Sequence, residues 1–355
     1  MIDLLDLTKL ELCDLLASWD EPAYRATQVD HWLYRDLVRD FDAMTNLSRD
    51  LRARLARETR IGIPRTIAEA SSADGLTRKA LLQLDDGQTI ETVLMLYPDA
   101  LDVEAFNQTP PHERRTVCIS TQVGCPVGCP FCATGQAGYI RNLTPGEIVA
   151  QVLHFARETP ITNIVIMGMG EPFMKFDVTW QAIESLTDSA RFGMGARRIT
   201  VSTSGEISGI ERMAQEKSQV NLAVSLHAPD DKLRDTLVPL NRKYPLSKLM
   251  RAVRDYITKT KRRVTFEYAL MDGINDKPEQ ARALTEMLRG MLCHVNLIPL
   301  NPTASSPYGR TLYERVKAFE KILLDANIAT TLRVEKGIEI AAGCGQLRQT
   351  ETSKL

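Results

Sequence analysis

The chain has 355 residues, 44% hydrophobic and 25% charged, with 44 Lys and Arg against 45 Asp and Glu for a formal net charge of −1. That balance excludes a uniformly basic nucleic-acid coat, so any nucleic-acid contact must rest on local clusters such as Arg114-Arg115, Arg197-Arg198 and Lys259 through Arg263, which on charge alone read as solvated faces. No run of about eighteen apolar residues and no charged-then-apolar leader occurs, so neither membrane span nor secretory signal is expected; seven cysteines, three of them in one loop, point to metal use in a reducing, cytoplasmic setting.

Residues 1–62 read as a small helical domain, because KLELCDLLASW and YRATQVDHWLYRDLV place apolar side chains three and four apart. Trp32, Tyr34 and Arg35 within it read as amphipathic helix core. Residues 63–113 are predicted to form a β-hairpin extension and a linker: RKALLQLDDGQTIETVLML carries two β-rich runs around Asp86-Gly87, and PDALDVEAFNQTPPHERR is rich in Pro and charge.

From 114 to 347 the pattern alternates. TVCIST, NIVIMG, RITVST, NLAVSLH, VTFEYAL and VNLIPL are β-type runs with helical segments between them. Six such units predict an α/β fold with right-handed parallel connections, a partial, open (β/α)6 barrel; residues 348–355 form a tail. Sites in such barrels gather at the carboxyl ends of strands, and the unusual residues of this chain fall there. Cys125, Cys129 and Cys132 follow the first strand, Gly168 to Pro172 the second, Ser202 to Gly205 the third, Ser225-Leu226-His227 the fourth and Asn301 the sixth.

The cysteine loop, GCPVGCPFCATG, offers three thiolates at spacing Cys-x3-Cys-x2-Cys. A closed zinc site needs four ligands, usually two distant Cys-x-x-Cys pairs, and no second pair exists, so zinc is not expected. A cubane iron–sulfur cluster held by three cysteines leaves its fourth iron open to a substrate. Around it, Glu171 supplies a carboxylate able to receive an ammonium, while Ser202, Ser225 and Asn301 are short polar groups suited to ribose and carboxylate hydrogen bonds. His227 either adds another or is a buried, satisfied histidine.

This loop, with Phe131 just before its last cysteine, resembles the signature of radical S-adenosylmethionine (SAM) enzymes. The resemblance implies a [4Fe–4S] cluster on Cys125, Cys129 and Cys132, and SAM contacts from Gly170, Glu171, Ser202, Ser225, Leu226, His227 and Asn301. Segments over nearly the whole chain, among them FDAMTNLS, ETVLML, LVPLNRKYPL, NLIPLNP, PYGR and GCGQL, are similar to the RNA adenosine methyltransferases RlmN and Cfr. That similarity implies two SAM molecules per turnover, one methylating Cys344 and the other cleaved to a radical that activates the methyl group. It further implies a covalent adduct with RNA, resolved by Cys118 with formation of a disulfide, and Glu91 as the base that removes the ring proton. The implied substrate is carbon 2 of an adenosine in 23S rRNA, with tRNA as a further substrate, read as unstacked RNA. The helical domain is the implied RNA-binding unit, an electron donor such as flavodoxin the implied partner, and the chain is expected to act as a monomer.

The chain departs from the family pattern before GCGQL, where Arg333-Val334-Glu335-Lys336-Gly337-Ile338-Glu339 replaces Arg-x-Ser/Thr-Arg-Gly-x-Asp. Gly343 stands where Ala is common, and Arg348 where a Gly is. Carbon-8 methylation or another RNA substrate, and a non-catalytic iron–sulfur RNA-binding or ribosome-assembly protein, are the alternatives these changes leave open.

Overall fold

A ten-stranded sheet organises the computed structural model, which describes residues 1–98, 113–301, 303, 306–333 and 336–347. Most of the expected linker, Val334, Glu335 and the expected tail lie outside the described residues.

All six expected barrel strands are present: Arg114–Cys118, Asn163–Ile166, Ile199–Thr203, Asn221–Ser225, Val264–Leu270 and Cys293–Pro299. They lie side by side in chain order and pair in parallel, as βα units with right-handed crossovers must. Helices Pro145–Ala156, Phe176–Thr187, Ile207–Met213, Leu246–Thr260, Pro278–Leu288 and Tyr313–Asp325 supply the connections and the outer layer. Thr144 opens the first of these with a capping box, its hydroxyl accepting from Glu147 N while the Glu147 carboxylate returns to Thr144 N at 2.9 Å. A seventh parallel strand, Thr330–Leu332, follows the sixth; three residues gave no sequence signal.

The hairpin forms from Thr77–Gln83 and Thr89–Tyr97, with Asp86 Oδ1 accepting from Gln88 N at 3.0 Å and Gly87 at φ +84° in the turn. It is no separate appendage. Thr89–Tyr97 pairs antiparallel with Arg114–Cys118, setting Val93 opposite Cys118, and a further strand, Arg65–Ser71, closes the far edge. The half-exposed sequence RTIAEAS lacks the apolar alternation of an inner strand, so it was illegible as one.

Three helices, Lys9–Ala17, Tyr24–Tyr34 and Arg49–Glu58, build the N-terminal unit around Leu12, Leu16, Val29, Leu33, Leu51 and Leu55, all buried. Each such side chain contributes about 1.5–3 kcal/mol. Tyr34 is buried rather than displayed, and Trp32 Nε1 donates to Asn46 Oδ1 at 2.6 Å. Asp6 Oδ1 accepts from Gly146 N at 2.7 Å, and the buried pair Asp30–Arg191 at 3.2 Å joins the unit to the helix layer of the barrel.

Candidate active site

Two short antiparallel strands, Gln122–Gly124 and Tyr139–Asn142, clasp the base of the cysteine loop, and Cys125 N donates to Gly138 O at 2.8 Å. Gly124 holds φ +78°, where a Cβ would lie 2.0 Å from Gly138 O, so only glycine permits this closure. The short helix Ala133–Gln136 then turns the chain away, with Cys132 N bonded to Cys129 O at 3.1 Å.

All three cysteines line one cavity, which opens to solvent at its mouth. Burial pushes the Cys125 thiol up to about 12, and burial with its two cysteine neighbours pushes Cys129 well above its ordinary value. Three enclosed thiolates therefore need cationic partners. Among the described residues no three His, Cys, Asp or Glu side chains converge on a single ion position. Three cysteines around one cavity supply the thiolate donor set that a multi-iron cluster takes.

Gly168, Gly170, Glu171, Ser202, Ser225, His227 and Asn301 share the cavity with the thiols; Leu226 and Glu91 do not line it. Gly170, at φ +109°, leaves no room for a Cβ, which would meet Gln122 Cβ at 2.7 Å. Ser202 Oγ and Ser225 Oγ stand 3.4 Å apart on adjacent strands. Asn301 Oδ1 is buried with no hydrogen-bond partner among the described residues, an acceptor suited to a ligand.

Glu171, 1% exposed, is already engaged: Thr203 Oγ1 and Phe173 N donate to Oε1 at 2.7 and 3.2 Å, and Ser204 N to Oε2 at 2.6 Å. It pins the second strand's loop to the end of the third, and burial raises its pKa. His227 sits at φ +59°, its Nδ1 accepting from Ala269 N at 3.0 Å and its ring edge-on to Phe131 at 5.1 Å. Burial, then the Arg234 charge, lowers its pKa to about 3, so the ring is neutral and carries its proton on Nε2. Leu226 works through its backbone: its N–H donates to Glu267 O at 3.0 Å and its carbonyl accepts from Arg234 Nε at 3.0 Å.

Cys118 ends the first strand and Cys344 comes from the C-terminal segment, yet both line this cavity. Both are free thiols; the expected disulfide between them is absent from this state. Burial pushes Cys118 up to about 12, with Cys344 acting in the same direction; burial also raises Cys344, against the pull of Arg333. The Cys344 segment docks on the helix after Cys132: Ala133 N donates to Gly345 O at 2.8 Å and Thr134 Oγ1 to Leu347 O at 2.5 Å. Its other side leans on the hairpin and the turn before it, where Lys79 Nζ donates to Ala341 O at 3.2 Å and Ala73 N to Glu339 Oε1 at 3.3 Å.

Glu91 is buried and ion-paired to Lys79 at 2.9 Å. It shares a strand face with Met95, which does line the cavity. Glu267 and Arg333 line it too; Arg333 was noted only as part of the altered segment before GCGQL, and Glu267 escaped sequence reading. Glu267 was visible only as a lone carboxylate inside VTFEYAL, and its Oε2 accepts from Asn296 Nδ2 at 2.8 Å. The basic clusters fall elsewhere: Arg114, Arg115 and Arg198 line a second cavity at the amino ends of the strands, opposite the cysteine loop.

Comparison with known proteins agrees with this geometry. Residues 119–284 match the family model described as Radical SAM superfamily, and residues 2–61 match that described as Ribosomal RNA large subunit methyltransferase N-terminal domain. The chain is 50% identical over 360 residues to a probable dual-specificity RNA methyltransferase RlmN of Chloroflexus aurantiacus, covering 97% of this chain and 92% of that one. It is 46% identical to the dual-specificity RNA methyltransferase RlmN of Halorhodospira halophila, covering 100% and 96%. The crystal structure of a radical SAM methyltransferase from Sphaerobacter thermophilus superposes with a TM-score of 0.92 at 51% identity, over 98% of this chain and 99% of that one. Cysteine loop, barrel rim and N-terminal unit are thus those of one lineage, and the chain belongs to the RlmN family of radical SAM methyltransferases.

Proposed function

We propose that this enzyme methylates carbon 2 of an adenosine in 23S rRNA, and in tRNA, in the cytoplasm, through a methylated cysteine and a transient protein–RNA thioether. The observation that carries this reading is that Cys118 and Cys344, 226 positions apart in sequence by their numbers, line the same cavity as the three-cysteine loop.

Cys125, Cys129 and Cys132 are the proposed cluster ligands. Gly170, Glu171, Ser202, Ser225, Leu226, His227 and Asn301 form the proposed SAM rim. When bound, cluster and SAM together supply one-electron cleavage to a carbon radical able to take hydrogen from a methyl group. An aromatic carbon of adenine is too poor a nucleophile for direct methylation, which is why such chemistry is needed.

The chain's own groups do the rest. Cys344, as thiolate, accepts a methyl group from one SAM, whose sulfur leaves as a neutral thioether; a second SAM is the radical source. The Cys344 methylene radical adds to ring carbon 2; the adduct then gives up one electron to an oxidised one-electron carrier such as the flavodoxin-like partner, and its ring-carbon proton to Glu91 once Lys79 releases that carboxylate, leaving a closed-shell adenine bridged to Cys344 by a methylene carbon. Cys118, as thiolate, attacks the sulfur of Cys344, the bridging carbon leaves with the electron pair and is protonated to methyl, and a Cys118–Cys344 disulfide remains. An outside two-electron reductant reopens it. A flavodoxin-like donor supplies single electrons to the cluster, and the helical unit of residues 1–62 contacts RNA ahead of the hairpin and barrel.

Anaerobic incubation of cluster-reconstituted protein with SAM, reductant and protein-free 23S rRNA or tRNA, followed by nucleoside mass spectrometry, tests the proposal. We expect 2-methyladenosine. Only 8-methyladenosine, or SAM cleavage with neither product, overturns it.

A further inference from the structure

Arg234 is the largest side chain to be fully buried among the described residues, at 0% exposure. It sits on the helix Asp231–Leu237 that follows the fourth strand. Four donor contacts leave its guanidinium: Nε to Leu226 O at 3.0 Å, one terminal nitrogen to Asn241 Oδ1 at 2.9 Å, and the other to Ser204 O at 2.7 Å and Ser225 O at 3.1 Å. None of these acceptors is a carboxylate. The nearest anions in the network are one step removed, since Asn241 Nδ2 donates to Asp231 at 2.9 Å and Asp235 at 2.7 Å.

A buried guanidinium without a directly bonded anion is costly, and it breaks the usual rule for interior charges. Its surroundings identify what offsets the cost. Leu233, Leu237 and Val238 beside Arg234 pack in one cluster with Val127, Phe131 and the three cysteines of the loop. Its three carbonyl partners belong to the ends of the third and fourth strands, the same ends that present Ser202, Ser225 and His227 to the cavity. Burial lowers the Arg234 pKa to about 10, which still leaves it charged at neutral pH, and its field reaches both Cys129 and His227.

We propose that Arg234 is a positioning residue of the cofactor site: it latches the ends of strands three and four into one rim for SAM and places a fixed positive charge beside the thiolate-bound cluster. The inference rests on the site assignment above. Planarity matters to the latch, because only a guanidinium reaches four acceptors from one buried position; charge alone matters to the cluster.

Two variants separate the roles in the full-length, cluster-reconstituted protein: Arg234→Lys keeps the charge and loses the fork, and Arg234→Gln loses the charge while keeping a buried amide. Equilibrium dialysis with radiolabelled SAM and an EPR-monitored redox titration are the readouts, with thermal melting and iron content confirming folding and loading. We expect SAM to bind about tenfold or more weakly to both variants. The cluster's midpoint potential is expected to match the parent in Arg234→Lys and to move to a more negative value in Arg234→Gln. Parent-like SAM affinity in Arg234→Lys overturns the latch, and a parent-like potential in Arg234→Gln overturns the charge role. Should Arg234→Gln not fold, an altered potential in Arg234→Lys overturns the charge role instead. A parent protein that holds no cluster or binds no SAM refutes the site assignment itself, a result distinct from either.

Discussion

The amide of Asn301 occupies the space that a side chain on Gly343 would need: a Cβ there would lie 2.6 Å from Asn301 Nδ2 and 2.8 Å from Gln346 Oε1. The residue before Cys344 is therefore small in this chain because the end of the sixth strand presses on it. Gly343→Ala, which restores the family's common residue, is predicted to push Asn301 or the Cys344 turn out of place. The expected cost is about 1 kcal/mol, because both atoms in the way end side chains that can swing aside. A lowered melting temperature with a smaller methylated fraction of Cys344, read by intact-protein mass spectrometry, is the outcome that checks it.

The two distant cysteines predict two different failures. Cys118→Ala should complete methyl transfer to adenine but be unable to release it, leaving a protein–RNA species that survives denaturing electrophoresis. Cys344→Ala should cleave SAM and make no methylated nucleoside. Normal multiple turnover by the first variant, or any methyladenosine from the second, contradicts the assigned roles.

Removing one cluster ligand should act at an earlier stage. Cys125→Ala is expected to lose the brown iron–sulfur absorbance after reconstitution together with SAM cleavage, while its far-ultraviolet circular dichroism matches the parent. A variant that retains a full complement of iron and SAM cleavage would remove Cys125 from the ligand set.

The neutral, buried His227 ring makes stability depend on pH in a defined window. Its folded pKa of about 3 lies below the unfolded value of 6.5, so the unfolded chain binds more protons as the pH falls. Its contribution is complete above about pH 6.5 and declines as the pH drops toward 3, by about 1.4 kcal/mol per pH unit. His227→Asn suits the left-handed backbone at this position and cannot titrate. Chemical denaturation between pH 7 and pH 4.5 should show a shallower loss of stability for the variant than for the parent.

Docking of the N-terminal unit has its own test. Arg191 donates to Asp30 at 3.2 Å and to Ser185 Oγ at 2.9 Å, with its guanidinium 5.1 Å from the Tyr34 ring. Arg191→Met leaves Asp30 buried without a counter-ion, at an expected cost of about 3–5 kcal/mol. Limited proteolysis should then cut between residues 37 and 49 faster than in the parent, and an unchanged rate would show that the pair does not hold the unit down.

What could be read from sequence was what repeats or clusters. Six apolar β-type runs alternating with helical segments predicted six parallel strands, and motifs placed after those runs converged because every parallel strand ends on the same side. Single charged residues inside apolar context were illegible. Arg234 in DKLRDTL looks like any exposed helix position, and Glu267 in VTFEYAL like an outward strand residue; only the packing of separate elements buries them. The basic clusters, which read as solvated faces on charge alone, have a shared position that sequence did not announce. Arg114-Arg115, Arg197-Arg198 and Lys259 through Arg263 precede or begin strands, which puts them on the rim away from the thiols. Strand pairing also could not be read: nothing in ETVLML announces that Val93 lies opposite Cys118.

The segment bearing Cys344 is slung between two supports, the hairpin and its preceding turn through Lys79 and Ala73, and the short helix after Cys132 through Ala133 and Thr134. Injury to one centre therefore spreads to the other. If oxygen strips the metal and lets the loop of Cys125 to Cys132 unravel, the perch for Gly345 and Leu347 goes with it, and the carrier thiol drifts out of register with Cys118. Air exposure would thus disarm both redox centres in a single event, and repair by restoring iron would succeed only if the carrier strand finds its seat again.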